Sequence, residues 1–228
     1  MRANSAIVAL LASSRRPHLC HHLRRSSISA CGAAGGAGGG SASIKLPCGT
    51  PAQTLTLGAA IATVARAGDV VLLRGDYGAG KTCLARGFIR HWYGDDDEQV
   101  TSPSYLIDNV YPDDAERALL PGVTVHHMDL WRLPEGKISQ LVDLDHVFSK
   151  CISLIEWPDK LANELPSEHL AVYLAMQSTA GDASANEADA FEDQPRVATL
   201  TAVGASWTAR LEVLERVCGG ARRGDGID

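Results

Sequence analysis

The chain has 228 residues, 45% of them apolar and 21% charged, which is enough for one well-buried domain with length left for tails. No apolar run approaches the ~20 residues that cross a bilayer, which excludes a transmembrane helix. From Met1 to Gly68 there is no acid, while Arg2, Arg15, Arg16, Arg24, Arg25, Lys45 and Arg66 carry seven positive charges. The remainder sets 14 basic residues against all 27 acids, a net of −13, too acidic for a body whose main task is gripping a nucleic-acid backbone.

The first 43 residues are rich in Arg, Ser and Ala and end in the low-complexity run 31-CGAAGGAGGGSAS-43. That composition is expected of an organellar transit peptide followed by a flexible linker, with a tail that carries no address as the alternative. The expected location is the mitochondrial matrix, or the plastid stroma, since both kinds of leader share this composition; without a functioning leader it is the cytoplasm. Six cysteines are scattered without a CxxC pair or metal-like spacing, so they are read as reduced thiols.

Past the linker a short strand is expected to close at Leu46–Cys48. Thr50 and Pro51 then supply an N-cap and a first helical position. Leu57, Ala60, Ile61, Val64 and Ala65 recur at helical spacing on one face, and Gly68 ends that segment. The apolar run 70-VVLLR-74 is of strand length, and 81-KTCLARGFIRHWYG-94 reads as a helix stopped by Gly94. Further strands are expected in the second half of 99-QVTSPSYLIDNVY-111, in 123-VTVHHMDL-130, in 151-CISLIEW-157, in 168-EHLAVYLAM-176 and in 196-RVATLTAV-203. A helix is expected over 135–149, and a last one from Ser206 to Val217. The acidic, base-free stretch 177–195 reads as a disordered hairpin insertion. Alternating strands and helices followed by two strands predict an α/β fold, with a mainly parallel sheet and antiparallel edges. The predicted organisation is a leader and linker (1–43), one domain (44–217) and a tail (218–228).

Between the first buried strand and its helix lies 75-GDYGAGKT-82, which satisfies G-x-x-x-x-G-K-[ST] in the strand–loop–helix context that the motif requires. Gly75, Asp76, Tyr77, Gly78, Ala79 and Gly80 form a loop whose N–H groups would point at a β-phosphate, at the positive end of the next helix. Lys81 would face the β- and γ-phosphates, and the Thr82 hydroxyl would ligate Mg²⁺. Asp129, ending a later strand, is the expected second magnesium-side acid; a plain strand-ending aspartate is the alternative. Glu156 follows the buried run 152-ISLI-155. A carboxylate at the carboxyl end of such a strand faces the ligand crevice, where it can orient or deprotonate a water. Within 102-SPSY-105 a serine is placed to sense a γ-phosphate, or else the segment is a Pro-induced turn. His126 and His127 point to opposite faces of a strand, one packed and the other exposed, and neither receives a role. Arg132 would pair locally or reach a phosphate.

In their order and separations, L-x-G-D-x-G-A-G-K-T, S-P-[TS]-[FY], H-x-D-[LI]-[YW]-R-L and I-E-W-P resemble the TsaE family, the P-loop ATPases of tRNA threonylcarbamoyladenosine (t6A) biosynthesis. The likeness runs from about Thr50 to Leu170. It implies a P-loop NTPase three-layer sandwich that binds ATP and Mg²⁺. It also implies an enzyme that hydrolyses ATP in support of TsaD- and TsaB-type partners, which modify adenosine 37 of ANN-decoding tRNAs and make most of the tRNA contact. Carried onto this chain, Gly75 to Thr82 bind phosphate, Lys81 and Glu156 act in catalysis, Thr82 and Asp129 hold the metal, and Trp157 lies beside the nucleotide. Cys83 and Ser104, also counted among the nucleotide-side positions, stand where the family usually has Thr. Trp131 stands where it has Tyr, and 135-EGKISQLVDLDHVF-148 lacks the family's usual Gly. Two other readings share the P-loop: a small-molecule or nucleotide kinase, which needs an Arg-rich lid not evident after Glu156, and a nucleotide-dependent scaffold with little turnover.

Overall fold

A computed structural model describes residues 41–177 and 195–219. The expected leader, most of the acidic insertion and the tail beyond 219 lie outside these residues. Thr50 caps the first helix as its sequence requires: its side chain accepts a hydrogen bond from the Gln53 N–H, and Pro51 opens the helix. The elements run β1 (Ala42–Cys48), α1 (Pro51–Val64), β2 (Val70–Arg74), α2 (Lys81–Tyr93), β3 (Asp108–Tyr111), β4 (Val125–Asp129), α3 (Leu144–Lys150), β5 (Ile152–Glu156), β6 (His169–Met176), β7 (Arg196–Val203) and α4 (Ala205–Gly219).

All seven strands form one sheet in the order β1-β7-β6-β2-β5-β4-β3. The central β6, β2, β5 and β4 run parallel, while β7, β1 and β3 add antiparallel. This is the mixed α/β sheet that the element order predicts. Side chains alternate between its faces because a strand repeats every two residues. Val71 and Leu73 join Ile61, Phe88 and Trp207 in the core under α1, α2 and α4. Val70 and Leu72 join Ile138, Leu144 and Leu161 on the opposite face. Two covered faces explain why β2 reads as an unbroken apolar run and β5 as one interrupted only by Ser153 before Glu156.

One expected element is corrected. The predicted helix over 135–149 is a 3₁₀ turn at Ile138–Gln140 followed by the short α3. Gly136 has a left-handed backbone, and the Asp143 side chain accepts from the His146 N–H, so a new helix starts there rather than continuing an old one.

Two features hold the site-bearing elements together. Helices α1 and α2 cross at glycines: a Cβ on Gly87 would lie 2.1 Å from the Leu55 carbonyl oxygen, and one on Gly58 equally near that of Leu84. Under α4, Arg210 grips the buried Asp69 through both Nη groups and also donates to the Val64 carbonyl at the end of α1. Because backbone cannot yield as a side chain can, Gly87→Ala is expected to cost about 1–3 kcal/mol of stability. Chemical denaturation checks it: the midpoint falls while the denaturant slope is unchanged.

Candidate active site

Strand β2 turns into the glycine-rich loop, with Gly75, Gly78 and Gly80 all at positive φ. Gly80 is the N-cap of α2 and has no side chain to cap it. The first N–H groups of a helix have no intrahelical acceptor, so this end is open to an anion. Lys81 is buried; its Nζ donates to the Gly75 and Asp76 carbonyls, each at 2.8 Å, and lies 3.9 Å from the centre of the Trp157 ring. Burial pushes its ammonium below the ordinary lysine value, opposed by the nearby charges of Glu156, Asp129 and Asp76.

Parallel pairing of β4 with β5 sets Asp129 directly beside Glu156, and pairing of β2 with β5 sets Leu73 on the other side. Both carboxylates thus come to the carboxyl ends of adjacent strands, against the start of α2. Glu156 Oε1 accepts from the Thr82 hydroxyl at 2.8 Å and from His127 Nε2 at 2.9 Å. Asp129 Oδ1 accepts from the Trp131 N–H at 3.0 Å, and its Oδ2 accepts from the hydroxyls of Ser102 and Ser104. The S-P-S-Y segment is the expected tight turn, with the N–H groups of Leu106 and Ile107 on the Pro103 carbonyl, and its two serine hydroxyls meet Asp129.

Trp157 has a left-handed backbone, and its ring meets that of Trp131 at 4.4 Å. The resulting cleft measures about 370 Å³ and takes in Tyr77, Gly78, Gly80, Lys81, Thr82, Cys83, Ser104, Asp129, Glu156 and Trp157 of the expected set. The other three are placed differently. Gly75 and Asp76 line a smaller depression of about 250 Å³ shared with Arg74 and Tyr173, and Ala79 is buried under the loop. Tyr77 is 87% exposed at the rim. Cys83 Sγ lies 3.6 Å from the Pro51 carbonyl, and burial raises its thiol pKa.

The structure adds three residues. Ser102 and His127 touch the acids directly, and Arg196, at the start of β7, reaches the Gly78 carbonyl at 3.4 Å. His127 was legible through parity, since it lies two residues before Asp129 on the same strand face. Arg196 had no local signal. The expectation of one packed and one exposed histidine is corrected: His127 is fully buried, but His126 is also mostly covered and pairs through Nδ1 with Asp108 at 2.8 Å. An acid on the neighbouring strand draws it in. Arg132 lies over the Tyr105 ring, a contact from a distant segment and not the local pair expected.

No group of three or more His, Cys, Asp or Glu side chains is arranged for a metal among the described residues. The convergent donors are instead a hydroxyl and two carboxylates. That oxygen set fits Mg²⁺, which takes few protein ligands and fills its shell with water and phosphate.

A strand–loop–helix phosphate cradle in a mainly parallel sheet, with acids ending the two strands beside it, defines a P-loop α/β protein. Residues 48–184 match the family described as "Threonylcarbamoyl adenosine biosynthesis protein TsaE", well over half the chain, and the chain belongs to that family. The protein named tRNA threonylcarbamoyladenosine biosynthesis protein TsaE in Streptomyces coelicolor is 34% identical over 166 residues, covering 69% of this chain and 97% of that one. Its counterpart of the same name in Bacillus subtilis is 31% identical over 167 residues, covering 73% and 90%. Among solved structures, that titled "Crystal structure of Bacillus subtilus YdiB" is 28% identical, with a TM-score of 0.53, and covers 82% of this chain and 98% of its own.

Proposed function

We propose that the chain binds ATP with Mg²⁺ in the cleft, hydrolyses the γ-phosphate bond, and couples that cycle to TsaD- and TsaB-like partners. Family membership itself gives the chain a role in tRNA threonylcarbamoyladenosine modification; the ATPase, the metal and the partners are proposed. The observation that carries it is the Thr82–Glu156 hydrogen bond beside Asp129, which brings a phosphate cradle, a metal-side hydroxyl and two acids within reach of one ligand.

Each residue then has a task. Lys81 leaves the Gly75 and Asp76 carbonyls for the β- and γ-phosphate oxygens. Thr82 and Asp129 are the residues that would hold Mg²⁺. The chemistry Mg²⁺ would supply there is neutralisation of the charge that develops on the phosphate oxygens. Glu156 orients the attacking water and accepts its proton, and the loop N–H groups take the charge that gathers on the phosphate oxygens. Trp157 covers the Lys81 side of the cleft and helps to keep bulk water out. The strongly acidic body supports a protein that leaves tRNA contact mostly to partners.

The test is MgATP turnover by the full chain, alone and with the TsaD- and TsaB-like subunits. Slow turnover that rises with the subunits is the expected result. Equal slow turnover in both would favour the scaffold reading, and transfer of labelled phosphate to a small acceptor would favour a kinase. The transit-peptide and mitochondrial reading also stands as a proposal. The family match begins at residue 48, and the relatives named above are bacterial, so neither supports it.

A further inference from the structure

We infer that His127 is a positioning residue for Glu156: its Nε2 fixes the carboxylate so that one oxygen, Oε2, is left for the attacking water. The inference rests on the ATPase reading above. Strand parity puts Val125, His127 and Asp129 on one face of β4, and the register with β5 brings the imidazole diagonally against Glu156. Nε2 and Oε1 lie 2.9 Å apart, with both side chains buried. Nδ1 is buried as well and has no hydrogen-bond partner among the described residues. A carboxylate oxygen can only accept, so it is Nε2 that carries the proton of this contact and donates it to Oε1.

Both donors to Glu156, Thr82 and His127, converge on the same oxygen. Under the ATPase reading Thr82 turns to the metal once nucleotide is bound. His127 is then the donor that remains, and without it the carboxylate is free to rotate away from the water or toward Lys81. A group that holds a reacting side chain in place acts on turnover more than on binding. A histidine kept only for packing would lower both together or neither.

The test uses the full chain with its partner subunits and three variants. His127→Phe keeps an aromatic ring and removes the donor. His127→Gln carries an amide nitrogen the same number of bonds from the backbone as Nε2, and His127→Asn carries one that falls short. Turnover is measured against MgATP concentration, and binding by titration with a fluorescent ADP analogue. For His127→Phe the expected result is a fall in kcat of about 10- to 100-fold, with KM and analogue affinity little changed. His127→Gln should recover most of that loss and His127→Asn little of it. Should His127→Phe fail to fold, the Gln and Asn pair decides alone. Wild-type kcat in the donor-less variant overturns the inference. So does a loss of affinity that parallels the loss of kcat without recovery by Gln, because that outcome marks structural support only. A wild-type chain with no turnover under any condition overturns the ATPase reading and this inference with it, whereas an active wild type matched by His127→Phe overturns the inference alone.

Discussion

Glu156→Ala should lower partner-stimulated ATP turnover by about 10²- to 10⁴-fold, the range of a positioned general base, while ATP affinity changes little. The expectation follows from where the carboxylate sits. It is buried at the end of β5, tied to the Thr82 hydroxyl and to His127 through the same oxygen, and next in register to Asp129. It touches the nucleotide side through Thr82 without belonging to the loop that cradles phosphate, so its loss should leave the cradle intact. Glu156→Gln is the sharper comparison, because it keeps the shape and removes the basicity. Equal losses in the two variants would assign the effect to proton acceptance; a milder loss in Gln would assign it to orientation. Steady-state turnover together with calorimetric titration of MgATP gives both quantities, and normal turnover in Glu156→Ala would remove Glu156 from its role.

For Lys81→Ala the loss should fall on binding instead. Truncating one partner of a desolvated, charge-assisted contact costs about 2–5 kcal/mol, roughly one and a half to three and a half orders of magnitude in affinity. The Lys81 ammonium is held by the Gly75 and Asp76 carbonyls and by the face of Trp157. The side chain is thus already extended toward the loop, with little of the ordering cost left to meet on binding. Calorimetric titration of the variant checks this, with its thermal midpoint measured alongside to separate misfolding from lost contact. Affinity within a few-fold of wild type would contradict the reading. The direction of the Lys81 shift also sets a sign for pH. Burial favours the neutral amine, so on the alkaline side the phosphate-binding charge is lost at a lower pH than for a free lysine, and affinity should decline with rising pH.

Much of this site was legible in the chain because its parts are local. The phosphate loop is eight consecutive residues whose glycines, lysine and threonine carry their roles in their own chemistry, flanked by an apolar strand and a helix. Thr50 and Pro51 announce the start of α1 within two positions, and unbroken apolar runs announce strands covered on both faces. The ends of β4 and β5 could be read as well, which put Asp129 and Glu156 on the correct side of the sheet.

What tertiary structure decided is everything that depends on which element lies beside which. Hydrophobic periodicity reports the face of an element and is silent about its neighbour. That β5 lies between β2 and β4, so that Asp129 and Glu156 are adjacent and in register, is a property of sheet order. The His127–Glu156 contact spans 29 residues of sequence, so that parity gives the face of His127 and not its partner, and the Arg196–Gly78 contact spans 118 with no local signature. Gly58 and Gly87 look like blemishes in two helices until those helices cross with no room for a Cβ. The segment 135–149 has the composition of a helix, yet Gly136 and the Asp143 cap divide it, because the chain must turn onto the second face of the sheet before β5. Local chemistry determined the phosphate cradle; long-range packing determined which side chains hold its acids in place.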